Sequence, residues 1–186
     1  MILDAALQTI ERGSVEGLTI GAVAKQAGIS ERTIFRYFAS RELFLDAVAQ
    51  ELARRMNLAP PPTSLDELYA YPRALYEGFE ANSGVLKVAI RSELFQRLVA
   101  TSAKERWIAV RRIIDAYAPR ASERARRIAA ANIRFYLGAS TWHYYRFLFE
   151  FSLEDTIACA ETAVAQALAG LKEGADNTAS GRRAGS

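Results

Sequence analysis

Residues 18–43 of the chain read LTIGAVAKQAGISERTIFRYFASREL, and this stretch decides the fold. Thr19 is a good helix N-cap residue, and the apolar positions after it recur at helical spacing until Gly28. A glycine there supplies the left-handed backbone that ends a helix, and Ser30 is a good N-cap for the next helix. Two short helices joined by so tight a turn are typical of a helix-turn-helix, whose second helix can enter a major groove.

The second predicted helix, over 30–38, divides its side chains between two faces. Ile34 and Phe38 turn inward, so the polar residues between them face outward. Arginine is suited to a bidentate contact with guanine, and threonine can meet a thymine methyl or a phosphate. Any one of these polar residues alone is better explained as ordinary solvated surface, but together in this frame they favour DNA contact. The residues that we expect to contact DNA are Thr19, Arg32, Thr33, Phe35, Arg36, Tyr37 and Arg41.

Arg41 supports the same interpretation in a different way. Ser40 caps the next helix, so Arg41 places a cation at the positive end of the helix dipole, which costs roughly 0.3 to 1 kcal/mol. A phosphate held by Arg41 and the helix N-terminal amides would offset that cost. The alternative is a surface arginine paired with Glu42 or Asp46.

The stretch resembles the tetracycline repressor (TetR-like) family of bacterial regulators. The matching positions are Thr19, Val23, Ala24, Ala27, Gly28, Ile29, Ser30, Thr33, Ile34, Tyr37, Phe38, Ser40 and Leu43. Phe35 departs from the usual tyrosine and Arg41 from the usual lysine; the second change keeps the charge. The resemblance implies an all-α protein, with an N-terminal three-helix DNA-binding domain and a C-terminal helical ligand-binding and dimerisation domain. The basic N-terminal arm often seen in the family does not precede the first helix here, so either the chain is trimmed or it binds DNA without an arm.

Composition agrees with a helical regulator. The chain has 186 residues, 51% of them hydrophobic, which is enough for a core. No apolar run is long enough to cross a membrane, and acidic and basic residues interrupt the first helix, so we expect a cytoplasmic protein. Cys159 is the single cysteine and is expected to fill space in a helix. We expect no metal, no cofactor and no enzymatic activity, because no nucleophile, phosphate-loop or metal-ligand motif is present.

Net charge does not carry the DNA interpretation. Through Met56, seven acidic residues balance seven basic ones. The basic excess lies between Lys104 and Arg134, where a solvated helix face and a second nucleic-acid surface are the two alternatives. A second nucleic-acid surface would require the arginines to lie together on one face.

Prolines at positions 60–62 predict the end of the helix that Ser40 opens. We therefore expect a DNA-binding domain over 1–56, an effector-binding and dimerisation domain over 57–173, and a disordered tail over 174–186. The capping box at 64–67 opens a helix that we expect to kink near Pro72. Further helical patterns are predicted at about 85–99, 103–117, 122–150 and 153–172.

The last two predicted helices are apolar on more than one side, which predicts that they pack against two different surfaces. One surface is the rest of the domain, and the other is a second copy of the chain, as in the resembled family. A purely internal core in a monomer is the alternative. The expected dimer-interface residues are Tyr144, Leu148, Ile157, Ala160, Val164 and Leu168.

The resemblance implies that the second domain encloses a small-molecule effector. The candidate lining residues are Tyr76, Phe79, Phe95, Trp107, Asn132 and Tyr136, although aromatic residues at helical spacing are more often core. The chain is thus expected to be a homodimeric regulator that binds double-stranded operator DNA, a repressor released by a small, largely apolar ligand. The alternative is a dimeric regulator that binds DNA without a ligand and is controlled by a protein partner.

Overall fold

A computed structural model describes residues 1–12 and 18–181, with side chains through 172. All regular secondary structure within these residues is helical, which confirms the predicted all-α fold. The helices are α1 (Ile2–Glu11), α2 (Ile20–Ala27), α3 (Glu31–Tyr37), α4 (Arg41–Met56), α5 (Leu65–Ala81), α6 (Ser83–Ile90), α7 (Leu94–Tyr117), α8 (Glu123–Tyr136), α9 (Ala139–Phe147) and α10 (Leu153–Gly181). None of these helices, as far as they are described, is both long and apolar enough to cross a lipid bilayer.

Three hydroxyl side chains begin the helices of the N-terminal segment where the sequence predicts them. The Thr19 hydroxyl accepts a hydrogen bond of 3.1 Å from the Ala22 amide at the start of α2. Ser30 and Ser40 do the same at the start of α3 and α4, each at 3.2 Å. Each cap satisfies an amide that has no partner inside its helix, which contributes about 1 kcal/mol.

The turn between α2 and α3 is built on Gly28, which has a φ of 67°. The Ile29 amide donates to the Ala24 carbonyl at 3.0 Å, and the Gly28 amide donates to the Lys25 carbonyl at 3.3 Å. This double closure is a Schellman-type helix end, and its left-handed residue favours glycine because a Cβ is strained there. The turn therefore fixes where α3 begins.

The chain divides into two compact units. Unit 1 comprises Met1–Leu58 and Gly78–Ala103, and unit 2 comprises Ala59–Glu77 and the chain from Lys104 onward. The first break lies near the predicted boundary after residue 56, but residues 78–103 group with the N-terminal segment. The tail predicted to be disordered overlaps α10 as far as Gly181, and residues 182–186 lie outside the described residues.

Each unit has its own apolar core. In unit 1, α1 packs against α2, α4 and α6, and in unit 2, α10 packs along α8. The fully or almost fully buried side chains of unit 1 include Leu7, Val23, Ile34, Phe44, Leu45, Val48 and Leu86. Those of unit 2 include Leu68, Tyr76, Ile114, Ile133, Trp142, Ile157, Val164 and Leu168. Burial of large apolar side chains is the main source of stability, at about 1.5–3 kcal/mol for each one.

The prediction of one helix over 122–150 is wrong, because the chain breaks between α8 and α9. Gly138 is extended, with a φ of −84° and a ψ of 147°, and it begins α9. A Cβ at this position would lie 3.1 Å from the Phe135 carbonyl oxygen, so glycine permits the close approach. The Thr141 hydroxyl donates to that same oxygen at 2.6 Å. The apolar periodicity continues across the break, which is why the pattern did not reveal it.

The helix predicted over 85–99 is also divided, because α6 ends at Ile90 and α7 begins at Leu94. The Ser92 hydroxyl accepts from the Leu94 amide at 3.2 Å and donates to the Ala89 carbonyl at 2.9 Å. The side chain thus joins the end of one helix to the start of the next. As a result, α7 includes both the end of the 85–99 pattern and the whole of the 103–117 pattern.

Two glycines of unit 1 predict opposite effects of the same substitution. Gly28→Ala should lower the free energy of unfolding by about 1 kcal/mol, because alanine is strained at a positive φ. Gly84→Ala should raise it by about 0.5–1 kcal/mol, because Gly84 is helical and has open space around its Cβ position. Urea unfolding of both variants measures the two values. If both substitutions changed the free energy of unfolding by the same amount and in the same direction, the left-handed turn at Gly28 would be contradicted.

Candidate functional site

The outer face of α3 carries the exposed side chains expected of a recognition helix. Ile34 is fully buried, whereas Phe35 is 47% and Tyr37 65% exposed. Arg32 and Arg36 are also exposed, and the Arg36 guanidinium lies 5.4 Å from the centre of the Tyr37 ring. The inward anchor therefore leaves two arginines and two aromatic rings free to meet another surface.

The two threonines predicted to contact DNA both take part in helix caps. The Thr19 hydroxyl caps α2, as described above. The Thr33 hydroxyl lies 3.0 Å from the Ser30 hydroxyl, which caps α3. Their first structural role is thus to hold the two helices in place. Both lie in unit 1 with the other predicted DNA-contacting residues.

Arg41 is paired, but with neither of the two acids that the sequence suggested. Its Nη1 donates to Glu93 Oε2 at 2.8 Å, and its Nη2 donates to Glu93 Oε1, so the contact is bidentate. This bonding lowers the pKa of the Glu93 carboxyl below its usual value. Asp46 instead pairs with Arg97, whose guanidinium also donates to the Glu42 carbonyl at 3.3 Å. Both ion pairs lie within unit 1 and are partly exposed.

The predicted effector residues are distributed between the two units. Phe79 and Phe95 belong to unit 1, and the others to unit 2. Tyr76 is fully buried and donates its hydroxyl proton to the Tyr136 carbonyl, and burial raises the pKa of the Tyr76 phenol. Asn132, also a candidate lining residue, is exposed on α8.

A groove of about 530 Å³ lies on unit 2 beside α10. Tyr136, which we expected to line an effector site, lines it together with the stacked rings of Tyr145 and Phe151, whose centres are 5.9 Å apart. Cys159 also lines the groove and is partly buried, and burial raises the pKa of its thiol. The cysteine is thus less readily ionised than a free one, consistent with a space-filling residue.

The predicted dimer interface needs a correction. Ile157, Ala160, Val164 and Leu168 are all fully buried within the protomer, because this face of α10 packs against the rest of unit 2. They form core and do not present a surface. Tyr144 and Leu148 are exposed, at 52% and 58%. Further exposed apolar side chains of the α8 and α9 region are Ile128, Phe135, Phe149 and Phe151.

The arginines between residues 104 and 134 do not share one solvated face. Arg111 and Arg126 both contact Asp115 and Glu123 at 2.9–3.3 Å. Arg106 is buried. Arg112, Arg120, Arg124 and Arg127 are exposed, so the basic residues of this stretch are divided among acid-paired, buried and exposed positions. In the described part of the chain, no three His, Cys, Asp or Glu side chains are grouped so as to hold a metal ion.

Two features of these sites were missed by sequence reasoning. Glu93 is 52 residues from Arg41 in the chain, and no local pattern indicates their pairing. Arg106 and Arg134 were seen only as members of a basic run, and the burial that distinguishes them is visible only in the fold. A signal was nevertheless present at Arg134, which lies between Ile133 and Phe135 in an amphipathic helix.

Comparisons with known proteins agree with these features. Residues 2–48 match the family described as bacterial regulatory proteins, tetR family. The HTH-type transcriptional regulator BetI of Vibrio vulnificus (strain YJ016) is 23% identical over 94 residues, which is 46% of this chain and 48% of that protein. The chain thus matches about half the length of this curated relative.

A TetR transcriptional regulator from Rhodococcus sp. RHA1 has a similar fold, with a TM-score of 0.52 and 20% sequence identity over 90% of this chain and 92% of that one. Members of the tetR family are DNA-binding transcription factors and not enzymes. The N-terminal segment of the chain therefore matches the tetR family of bacterial regulatory proteins, and its all-α architecture is similar to that of a solved regulator of this kind.

Proposed function

We propose that the chain is a homodimeric repressor that binds operator DNA through α3 and is released from it by a small molecule bound in unit 2. The observation that carries this proposal is the outer face of α3, where Arg32, Arg36 and Tyr37 are exposed while Ile34 is anchored in the core. A short helix held in this way presents side chains to base edges at a fixed angle.

The residues of this face have different roles toward DNA. Arg32 lies in the first turn of α3, from which a recognition helix meets the bases, and it reads guanine. Arg36 and Tyr37 lie one turn later and hold phosphates, as does Arg41 at the start of α4. Phe35 is half exposed and supplies an apolar contact.

A second copy of the chain covers the exposed apolar surface of the α8 and α9 region. The protomer leaves Phe135 68% and Leu148 58% exposed, and the exposed rings of Tyr144 and Phe149 are in edge-to-face contact at 5.1 Å. Large apolar side chains grouped in this way mark an interaction surface. A twofold dimer reads two half-sites of DNA, which one short helix cannot do.

Effector control acts through unit 2. A ligand that binds more tightly to one conformation of the protein than to the other shifts the population and so changes DNA affinity by the same coupling free energy. Tyr76, Trp107 and Tyr136 are the predicted effector residues that lie in unit 2 and are at least partly buried. Repression follows when a dimer bound at a promoter blocks access to it.

Selection from a random DNA library tests the proposal, and we expect an enriched twofold-symmetric site. Arg32→Ala should then lose about 1–3 kcal/mol of discrimination at one base position. Arg41→Ala should weaken binding to all sequences similarly, since it removes a phosphate contact. It should also reduce the slope of log binding constant against log salt concentration by about one. Binding titrations at several salt concentrations measure both. Wild-type affinity and specificity in both variants would disprove the assigned recognition helix.

Glu93→Gln should tighten DNA binding about two- to fivefold. The wild-type protein must break the partly exposed ion pair between Arg41 and Glu93 before Arg41 can bind a phosphate, and the variant has no such ion pair to break. Asp46→Asn is the matched control: it removes the same charge from unit 1, but the partner of Asp46 is Arg97. Fluorescence anisotropy with the selected operator compares the two. Equal tightening in both variants would mean that only net charge matters and would contradict a phosphate role for Arg41.

Phe135→Glu should shift the protein from dimer to monomer, because it places a charge in the apolar surface that a second copy covers. Ile108→Glu is the control, since Ile108 is 47% exposed but lies on α7. Sedimentation velocity measures the mass of each variant, and far-UV circular dichroism checks that both are folded. A dimeric Phe135→Glu protein, or a wild-type protein that is monomeric when bound to its operator, would rule out this interface.

A further inference from the structure

The groove beside α10 is walled by aromatic rings from three successive parts of unit 2. Tyr136 is the last residue of α8, Tyr145 lies on α9, and Phe151 lies in the segment that leads into α10. The rings of Tyr145 and Phe151 are parallel to within 9°, with their centres 5.9 Å apart. None of the three side chains is fully buried, so the groove offers aromatic surface to a ligand.

The segment between α9 and α10 holds Phe151 in place through an uncommon backbone conformation. Glu150 has a φ of 57°, in the left-handed region that is unfavourable for a residue with a Cβ. The Phe151 amide donates to the Tyr145 carbonyl at 3.0 Å, and the Phe151 carbonyl accepts from the Arg146 guanidinium. Strained residues of this kind persist where the surrounding structure fixes them, and they cluster at ligand sites. The Phe151 ring is thus held beside that of Tyr145.

Asp155 is the only charged residue among the described residues that line the groove. The Ser152 hydroxyl donates to Asp155 Oδ2 at 2.6 Å, so one carboxylate oxygen takes part in the cap of α10. Within the described part of the chain, no cationic side chain forms an ion pair with Asp155. Burial, and after it the charge of Asp155, raises the pKa of the Cys159 thiol one turn further along α10. The lining of the groove therefore carries a negative charge that no cation within this lining neutralises.

We propose that this groove binds an organic cation, an ammonium group that carries an apolar substituent. The face of an aromatic ring attracts a cation, and a carboxylate accepts a charge-assisted hydrogen bond from it. Asp155 would repel an anion, and a neutral molecule would gain no charge attraction from it. The volume of about 530 Å³ is in the range of small-molecule sites. The inference deepens the proposed effector control by giving the effector a positive charge, and it rests on that proposal for the effect on DNA.

The site is tested first without DNA, by thermal unfolding of the whole chain at pH 7 in benzylammonium chloride, benzyl alcohol or sodium benzoate. These probes share a benzene ring and differ in charge, and sodium chloride keeps the ionic strength equal. At about five times its dissociation constant, benzylammonium should raise the Tm of the wild type by about 2–4 °C. The other two probes at the same concentration should raise it by less than half as much. Equal stabilisation by either of them, or no stabilisation by benzylammonium, would disprove the cation site.

Asp155→Asn is the first test variant, and Asp66→Asn is its matched control. Both acids lie in the first turn of a helix of unit 2, but Asp66 does not line the groove. Asparagine can still accept the bond from the Ser152 hydroxyl, so the start of α10 is preserved. Asp155→Asn should bind benzylammonium about five- to tenfold more weakly, because a charge-assisted hydrogen bond becomes a neutral one. Asp66→Asn should bind like the wild type, and equal weakening in both variants would contradict the proposal.

Phe151→Leu tests the aromatic part of the site, since leucine keeps an apolar side chain but has no ring. This variant should bind benzylammonium about two- to fivefold more weakly, because one cation–π contact is lost. Far-UV circular dichroism checks that the variant is folded. Wild-type affinity for benzylammonium in folded Phe151→Leu would contradict the assigned site.

A second arm keeps this inference separate from the function on which it rests. Benzylammonium chloride should weaken binding of the wild type to its selected operator more than sodium chloride at equal ionic strength does, and this difference should shrink in Asp155→Asn. Stabilisation without any effect on DNA binding would confirm the cation site and contradict ligand control. Failure of the wild type to bind an operator in the absence of any probe would contradict the DNA-binding proposal alone.

Discussion

The arrangement of α2 and α3 depends on the left-handed backbone at Gly28. The Schellman-type bonds there end α2 at one residue, and Ser30 starts α3 two residues later. With so little chain between them, the two helices have almost no freedom in their mutual angle. Burial of Ile34 then sets the rotation of α3 about its own axis, and this decides which of its side chains are exposed. Local backbone geometry and one apolar anchor thus define the candidate reading surface.

The same reasoning explains why this part of the fold could be predicted from sequence. Caps and helix ends are local, because Thr19, Ser30 and Ser40 each bond an amide three residues further along the chain. Apolar spacing likewise indicates which side of a short helix is buried. Gly138 shows the limit of the approach, because its effect depends on a close contact with the Phe135 carbonyl that periodicity does not reveal. The apolar periodicity therefore continues from α8 into α9, although the helix is interrupted between them.

Interactions between residues far apart in the chain could not be predicted. The apolar face of α10 was expected to meet a second copy, yet Val164 is fully buried within the protomer. An amphipathic pattern indicates that one face of a helix is buried, but it does not identify the surface against which that face packs. Arg41 is a similar case, since a cation at a helix N-terminus indicated a missing anion. Glu93 satisfies that need in the folded chain, and in the proposed complex a DNA phosphate would compete with it for the same guanidinium.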